Sequence, residues 1–214
     1  MSEARKQILA RIRAAGAGRT VEVPRAYRGA GTVPVPDVVT LFAERAADYQ
    51  AAVHRCPVDE VKDTIQAALS EQGASRVVVP ADYPRCWRPP AAVADDPPLS
   101  VTDLDGVDAV LTTCAIAIAS TGTIVLDHGP GQGRRALTLI PDCHLVVVEA
   151  RQIVAAVPDG VAVLDAARPQ TWISGPSATS DIELSRVEGV HGPRRLEVIV
   201  SEPGPRLLRE GPQA

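Results

Sequence analysis

The clearest fold signal lies at residues 107–127, which read VDAVLTTCAIAIASTGTIVLD. Short apolar runs rich in Val, Ile and Ala are typical of strands buried in a parallel sheet. The apolar segment 107–119 leads into the turn Thr121-Gly122-Thr123, and 124–127 is predicted to be a strand. This stretch therefore predicts a sheet with an aliphatic core.

Upstream of this stretch, helical patterns alternate with one further strand. The spacing of apolar residues predicts helices at 3–15, 37–52 and 57–73. Asp37 is the expected N-cap of the second helix, and Pro57 suits the first position of the third. A short buried strand is expected at 75–80. The proline-rich stretch 81–100 reads as a surface excursion with a short helix at most.

Downstream, short apolar runs alternate with turns. Strands are predicted at 137–139, 145–148, 171–174 and 196–201. Helices are predicted at 149–157 and from Asp181, the latter as a helix or a turn, and 161–166 fits either a strand or a short helix. The glycine-rich turn 128–134 lacks the Gly-Lys-Ser/Thr ending of a phosphate loop, so we interpret it as a mobile surface hairpin.

Strands that alternate with helices predict an α/β protein with an open, mostly parallel sheet flanked by helices. The 214 residues fit one such domain with a terminal appendage. We divide the chain into a helix and extended arm (1–36), an α/β domain (37–201) and a flexible tail (202–214).

Composition and charge narrow the function classes. The net charge is −4 and no basic stripe is visible, which argues against nucleic-acid binding. No run approaches the ~18 apolar residues of a membrane span. The N-terminus lacks the apolar core of a signal peptide, so a cytoplasmic location is expected.

The cysteines argue against a metal or cluster site. Cys56, Cys86, Cys114 and Cys143 lie far apart in the sequence, and none forms a Cys-x-x-Cys pair. Structural zinc and iron–sulfur sites normally take clustered thiolates. We therefore expect free thiols, with no metal and no cofactor held by this chain.

Ligands of open α/β sheets bind at the carboxyl ends of strands, where loops converge. Three loops of small residues are the candidates under this rule. The first is Thr121-Gly122-Thr123, whose glycine permits a close approach of the main chain and whose hydroxyls suit a phosphate or carboxylate. The alternative is an ordinary turn with hydroxyls bonded to their own backbone.

The second loop runs from Ser174 to Asp181 and contains Gly175, Pro176, Ser177 and Thr179. It follows a predicted strand and opens a predicted helix, whose free N–H groups and dipole favour an anion. Asp181 is a candidate to orient a hydroxyl or accept a proton, and it could also simply complement the helix dipole.

The third loop contains His191, Gly192 and Arg194. An imidazole that titrates near neutral pH beside a fixed cation suits binding of, or proton transfer on, an acidic substrate. The alternative is a turn with a solvated histidine before the last strand.

Four motifs in order carry a resemblance to a known family: AIASTGTIVL (117–126), LIPDCHLVVV (139–148), ISGPSATSDIE (173–183) and GVHGPRRLEVI (189–199). Together they resemble the LUD domain of the lactate-utilisation protein C family over residues 107–201. The resemblance implies a fold similar to the sugar-isomerase, CoA-transferase and folate cyclo-ligase superfamily (NagB/RpiA/CoA-transferase-like).

The resemblance also implies a role in oxidising L-lactate to pyruvate beside two partners, at least one of which binds iron–sulfur clusters. Family members often carry an acidic residue just before Thr-Gly-Thr, and here that residue is Ser120. CoA-transferase relatives use a glutamate nucleophile. This loop contains no carboxylate, which argues against the hypothesis of a covalent acyl-transfer mechanism.

Three hypotheses follow. The first is a non-redox subunit of a lactate-oxidation system that binds a small anionic metabolite through Thr121–Thr123, Gly175–Thr179 and His191–Arg194. The alternative is a free-standing enzyme of the superfamily, acting on a phosphorylated or carboxylated small molecule with His191 and Asp181 as catalytic candidates. The third is an interaction module with an inactive pocket. The sequence leaves open whether the chain is catalytic and whether it forms a homo-oligomer.

Overall fold

The computed structural model of the chain describes residues 3–16, 22–27, 37–180, 186–188 and 192–204. Its α-helices are α1 (Glu3–Ala14), α2 (Val38–Asp48), α3 (Val61–Glu71), α4 (Val101–Asp105) and α5 (Val157–Val163). Its strands are β1 (Ala52–Pro57), β2 (Val77–Val79), β3 (Val93–Ala94), β4 (Ala109–Thr113), β5 (Ile116–Ile118), β6 (Thr123–Leu126), β7 (Cys143–Glu149), β8 (Ile153–Val154), β9 (Thr171–Ile173), β10 (Ala178–Ser180), β11 (Arg186–Glu188) and β12 (Arg195–Glu202).

A six-stranded sheet with the order β1-β12-β7-β4-β2-β3 forms the centre of the fold. Every pair in it is parallel, as in the register Val146↔Val198 between β7 and β12. The prediction of an α/β protein with a mostly parallel sheet is therefore confirmed. Strand β1 pairs with β12, so residues 52–57 belong to the same sheet as the strands of the second half of the chain.

Both faces of this sheet are covered, because side chains alternate between faces along each strand. Leu145 and Val147 pack with Ile65 of α3 in one apolar cluster. Val146 and Val148 pack with Phe42 of α2 in another. A strand buried on both faces reads as a continuous apolar run, which explains why 145–148 was recognisable from sequence.

A second sheet of four strands has the order β8-β5-β6-β9 and was not predicted. Strands β5 and β6 pair antiparallel, as do β6 and β9, while β5 and β8 pair parallel. The stretch 107–127 thus contributes strands to both sheets, because the chain leaves the central sheet after Thr113 and turns back at Gly122. Apolar runs of three or four residues do not reveal which sheet they join.

Several element predictions were wrong. Pro57 ends β1, and α3 begins only at Val61. The segment predicted as strand 137–139 is a 3-10 helix, Arg135–Thr138. The segment predicted as helix 149–157 is a 3-10 turn, Ala150–Gln152, followed by β8. In each case a short element takes its conformation from its neighbours rather than from its own periodicity.

The glycine-rich turn 128–134 is packed, so the prediction of a mobile surface hairpin was wrong. Gly129 and Gln132 are buried. Gln132 Oε1 accepts from Asp127 N at 2.6 Å, and Asp127 Oδ1 accepts from Gly129 N at 3.1 Å. Arg134 pairs with Asp95 of the excursion 81–100. The side chains of Asp127 and Gln132 therefore accept hydrogen bonds from backbone N–H groups in and beside the turn.

The residues after Gly175-Pro176-Ser177 form strand β10, which pairs antiparallel with β11. Asp181, and the helix or turn expected from it, lie outside the described residues. Within the described residues, the loop at Gly175 leads into β10, so the helix-dipole argument for an anion there stays a prediction from sequence.

Candidate functional site

Two of the three predicted loops meet at a cleft beside the amino ends of β7 and β12. We call it the Arg135 cleft. It encloses about 160 Å³ and is lined by Arg135, Thr138, His144, residues 171–177, Gly192, Pro193 and Leu196. His144 and Leu196 are the second residues of their strands. We selected these loops because ligands of open α/β sheets bind at the carboxyl ends of strands. In the central sheet, however, the loops lie at the amino ends.

The loops at Gly175 and Gly192 contact each other directly. Ser177 N donates to Pro193 O at 2.8 Å. A side chain added at Gly192 would place its Cβ 3.6 Å from Ser177 Cβ and 4.0 Å from Thr138 O. The predicted convergence of Gly175, Pro176, Ser177 and Gly192 is thus present in the structure.

Gly175 itself has a packing role. Its φ is +83°, and an added Cβ would lie 2.5 Å from the backbone oxygen of Tyr49. Only glycine tolerates both conditions without displacement of the main chain that follows α2. The residue therefore shapes the cleft wall from behind.

The loop Thr121-Gly122-Thr123 lies behind the cleft and does not line it. Gly122 has φ +59°, and an added Cβ would lie 2.5 Å from backbone atoms of Arg45 and Ala46 in α2. Thr123 Oγ1 is hydrogen-bonded to Thr121 Oγ1 at 2.7 Å and to Ser174 Oγ at 2.8 Å. These contacts fit the interpretation of a packed turn whose hydroxyls bond within the protein.

Arg135 supplies the positive charge of the cleft, and the sequence analysis missed it. Its Nη1 donates to Thr138 O at 3.0 Å and to Thr138 Oγ1 at 3.1 Å. Among the described residues, no carboxylate lies within 4.0 Å of its guanidinium. A signal is present in the sequence: Arg135 begins the segment 135–141, which contains no carboxylate that could pair with it locally.

His144 forms the floor of the cleft and was also missed, although it stands in a motif that carries the family resemblance. It is 1% exposed, and its Nε2 is hydrogen-bonded to Thr112 Oγ1 at 2.8 Å. Burial, together with the nearby charge of Arg135, lowers the pKa of His144 to about 3. The imidazole is therefore neutral at physiological pH and contributes hydrogen bonding rather than charge.

The remaining predicted site residues are placed differently. Arg194 pairs with Asp142 at 3.2 Å and lines a separate polar cleft with Arg195 and Asp108. The backbone of Thr179 lies in β10. His191 and Asp181, the catalytic candidates, lie outside the described residues.

A larger cleft lies at the opposite, carboxyl edge of the central sheet, beside the ends of β4 and β7. We call it the carboxyl-edge cleft. It encloses about 520 Å³, and its lining includes Trp87, residues 113–116, Asp127, Gln132, Glu149, Leu164 and Arg168. The glycine-rich turn, which the sequence analysis set aside, forms part of its wall.

The cysteines do not converge on either cleft as a group. Cys56, Cys114 and Cys143 are buried free thiols, and Cys86 is exposed. Burial raises the pKa of Cys114, and it raises that of Cys143 to about 12, so both are protonated thiols. Within the part of the chain that the structure describes, no three His, Cys, Asp or Glu side chains group as a metal site.

The parallel sheet, its helical layers and the clefts at its two edges define an α/β protein of the open-sheet class. The family profile described as LUD domain matches residues 102–201. A lactate utilization protein C from Deinococcus radiodurans is 48% identical over 205 residues, which cover 93% of this chain and 96% of that protein. The chain belongs to the LUD-domain family of lactate utilization protein C.

Two further comparisons agree with this assignment. A lactate utilization protein C from Halalkalibacterium halodurans is 28% identical over 184 residues, covering 77% of this chain and 79% of that protein. A crystal structure of a DUF162 family protein from Deinococcus radiodurans is 45% identical with a TM-score of 0.69, and the match covers 78% of this chain and 99% of that one.

None of the helices in the described ranges is both long enough and apolar enough to cross a membrane.

Proposed function

We propose that this chain acts in lactate utilisation as a non-redox component that binds a small anion in the Arg135 cleft. The pathway rests on similarity to proteins named lactate utilization protein C over nearly the whole chain. The resemblance of the four motifs to that family supports a partnership with iron–sulfur cluster-binding proteins, which would carry the electrons.

The observation that carries the anion proposal is the guanidinium of Arg135, which lines a small cleft and faces no carboxylate among the described residues. An arginine that faces no carboxylate offers several N–H donors in a fixed plane, which match a carboxylate or phosphate. The hydroxyls of Thr138, Thr171 and Ser174 line the same cleft and can bond the remaining oxygens of such a ligand.

The proposal keeps Gly175, Pro176, Ser177 and Gly192 as cleft residues and adds Arg135. Gly175 and Gly192 shape the wall, and Ser177 links the two loops through its backbone. The neutral imidazole of His144 gives the floor a polar surface without a competing charge. A role for His191 at this site stays a prediction from sequence.

The two tryptophans of the chain allow a direct test, because Trp172 lines the Arg135 cleft and Trp87 lines the carboxyl-edge cleft. L-lactate, pyruvate and inorganic phosphate are titrated into the full chain while the two indole N–H resonances are followed by NMR. Trp172→Phe assigns the signals. We expect at least one of the three anions to shift the Trp172 resonance.

Arg135→Ala should weaken this binding about 10- to 100-fold, the loss expected for charge-assisted hydrogen bonds. Arg194→Ala is the matched control, since Arg194 is exposed and pairs with Asp142 elsewhere. Equal loss in both variants, or no response to any anion with or without the partner proteins, would contradict the anion proposal. Co-purification with an iron–sulfur protein tests the subunit role separately.

A further inference from the structure

We propose that the carboxyl-edge cleft is a second binding site and that it takes a small uncharged molecule with an amide or carbonyl head on an apolar body. The proposal is independent of the anion proposed for the Arg135 cleft. It starts from position: the cleft lies where β4 ends at Thr113 and β7 ends at Glu149, the edge at which open α/β sheets bind ligands.

The walls of the cleft fix the body of the ligand. Trp87, Ile116 and Leu164 contribute apolar surface. The volume of about 520 Å³ falls in the range of small-molecule pockets, which are mainly apolar with a few placed polar groups. A short hydrocarbon or ring therefore gains free energy by leaving water for this cleft.

The charges of the cleft are neutralised within the protein. Arg168 Nη1 lies 2.8 Å from Asp127 Oδ2. Both oxygens of Glu149 accept from Arg151, at 2.8 and 2.9 Å. An ionic ligand would have to compete with one of these pairs and would gain no unpaired opposite charge. The Arg135 cleft differs, because within the part of the chain that the structure describes no carboxylate pairs with Arg135.

The polar selectivity comes from Gln132, which is 3% exposed and lines the cleft. Its Oε1 accepts from Asp127 N at 2.6 Å, which fixes the orientation of the side-chain amide. Its Nε2 has no acceptor among the described residues and therefore offers N–H donors to a bound carbonyl.

The glycine-rich turn holds this donor in place. An added Cβ at Gly131 would lie 2.8 Å from Thr113 Oγ1, and one at Gly129 would lie 2.9 Å from Gln132 Nε2. Thr113 Oγ1 in turn donates to Pro130 O at 2.8 Å. Because these positions are glycines, the turn packs closely against the end of β4. This packing places Gln132 at the wall of the cleft.

The test compares three probes with similar apolar chains: butyramide, butyrate and butylamine. Each is titrated into the full chain, and the indole N–H resonance of Trp87, assigned with Trp87→Phe, is followed by NMR. We expect butyramide to shift it at concentrations at least about tenfold lower than either ion. Binding that is equal for the three probes, or absent for butyramide, overturns the proposal.

Two variants locate the binding. Gln132→Glu keeps an acceptor for Asp127 N but removes the amide donor, so it should abolish the preference for butyramide. Leu164→Trp narrows the apolar wall and should weaken all three probes, which gives a second readout if the Gln132 variant does not fold. Arg135→Ala should leave the Trp87 response unchanged; loss of that response would show that the two clefts are not separate sites and would overturn the proposal.

Discussion

At the scale of single residues, glycines decide how closely α2 approaches the second sheet. Gly122 and Gly175 both have positive φ, and each would place a Cβ 2.5 Å from main-chain atoms in or just after α2. Neither contact involves the far end of a flexible side chain, which could move aside. The small-residue motifs that resemble a ligand loop are therefore explained in part by helix packing.

Gly122→Ala should lower the free energy of unfolding by about 3 kcal/mol, because overpacking adds to backbone strain. Gly73→Ala is the matched control, since Gly73 also has positive φ, +65°, but no atom lies within 4 Å of an added Cβ. That variant should lose only about 1 kcal/mol. Urea denaturation measures both values, and similar losses would mean that strain alone explains the glycine.

The pair His54 and Glu197 makes the stability of the fold depend on pH above the ordinary pKa of histidine, 6.5. His54 Nε2 donates to Glu197 Oε2 at 2.7 Å, and Glu197 is 3% exposed. This hydrogen bond raises the pKa of His54 above its ordinary value, with a smaller contribution from the charge of Glu71. Gln72 Nε2 donates to the other oxygen of Glu197 at 2.6 Å, which holds the carboxylate in place.

A pKa raised in the folded state contributes stability that is fully present below the unfolded pKa, near 6.5, and is lost as pH rises through the folded pKa. As pH rises above about 6.5, the urea midpoint should therefore fall by more in the natural chain than in His54→Gln. A parallel pH dependence of the two proteins would show that the His54–Glu197 pair contributes nothing in this window.

At the scale of elements, a forked ion pair adds to the β2–β3 pairing that holds the excursion 81–100. Arg134 Nε lies 2.7 Å from Asp95 Oδ2, and Arg134 Nη2 donates to Asp95 Oδ1 at 3.0 Å and to Leu99 O at 2.6 Å. The side chain of Asp95 is 6% exposed. The pair thereby joins the excursion to the glycine-rich turn that walls the carboxyl-edge cleft.

Arg134→Lys should lower the free energy of unfolding by about 1–2 kcal/mol, because an ammonium cannot reproduce the fork of three hydrogen bonds. Arg151→Lys is the control, since Arg151 makes a similar fork to Glu149 but is 77% exposed. We expect no measurable loss there. Thermal unfolding compares the two, and an equal effect would remove the special role of the buried carboxylate.

The same scale shows what the sequence could predict. Strands buried on both faces, such as β7 and β12, have continuous apolar runs and were found within two residues of their ends. The strand β1, which carries His54 and Arg55, and the two-residue strands β3 and β8 have no such run. Their conformation depends on pairing with strands far away in the sequence, which a local pattern does not contain.

At the scale of the whole molecule, the site was predicted in part. Two of the three loops selected by the strand-end rule meet in the structure, yet they do so beside the amino ends of β7 and β12, since Gly192 precedes β12. Arg135 and His144 complete the cleft through tertiary contacts between segments that no motif joins. The carboxyl-edge cleft was missed because its glycine-rich turn, 128–134, fits no phosphate-loop pattern and was therefore interpreted as a surface hairpin.

Helix α1 stands apart from these structural layers. None of its residues is buried, and its apolar side chains Ile8, Leu9 and Ile12 are 58%, 36% and 47% exposed. It therefore contributes no apolar contact to the core formed by the two sheets and their helices. Helices of this length gain most of their stability from tertiary packing, so α1 alone should be marginal in water.

Removal of residues 1–16 should consequently leave the urea midpoint and the slope of the unfolding transition unchanged. The described part of this segment, 3–16, buries no core side chain, so its deletion should change neither the packing of the core nor the apolar surface exposed on unfolding. Ile65→Ala is the positive control, because Ile65 is fully buried and should cost about 2–5 kcal/mol. A lower midpoint after the deletion would show that α1 packs against the rest of the chain in solution.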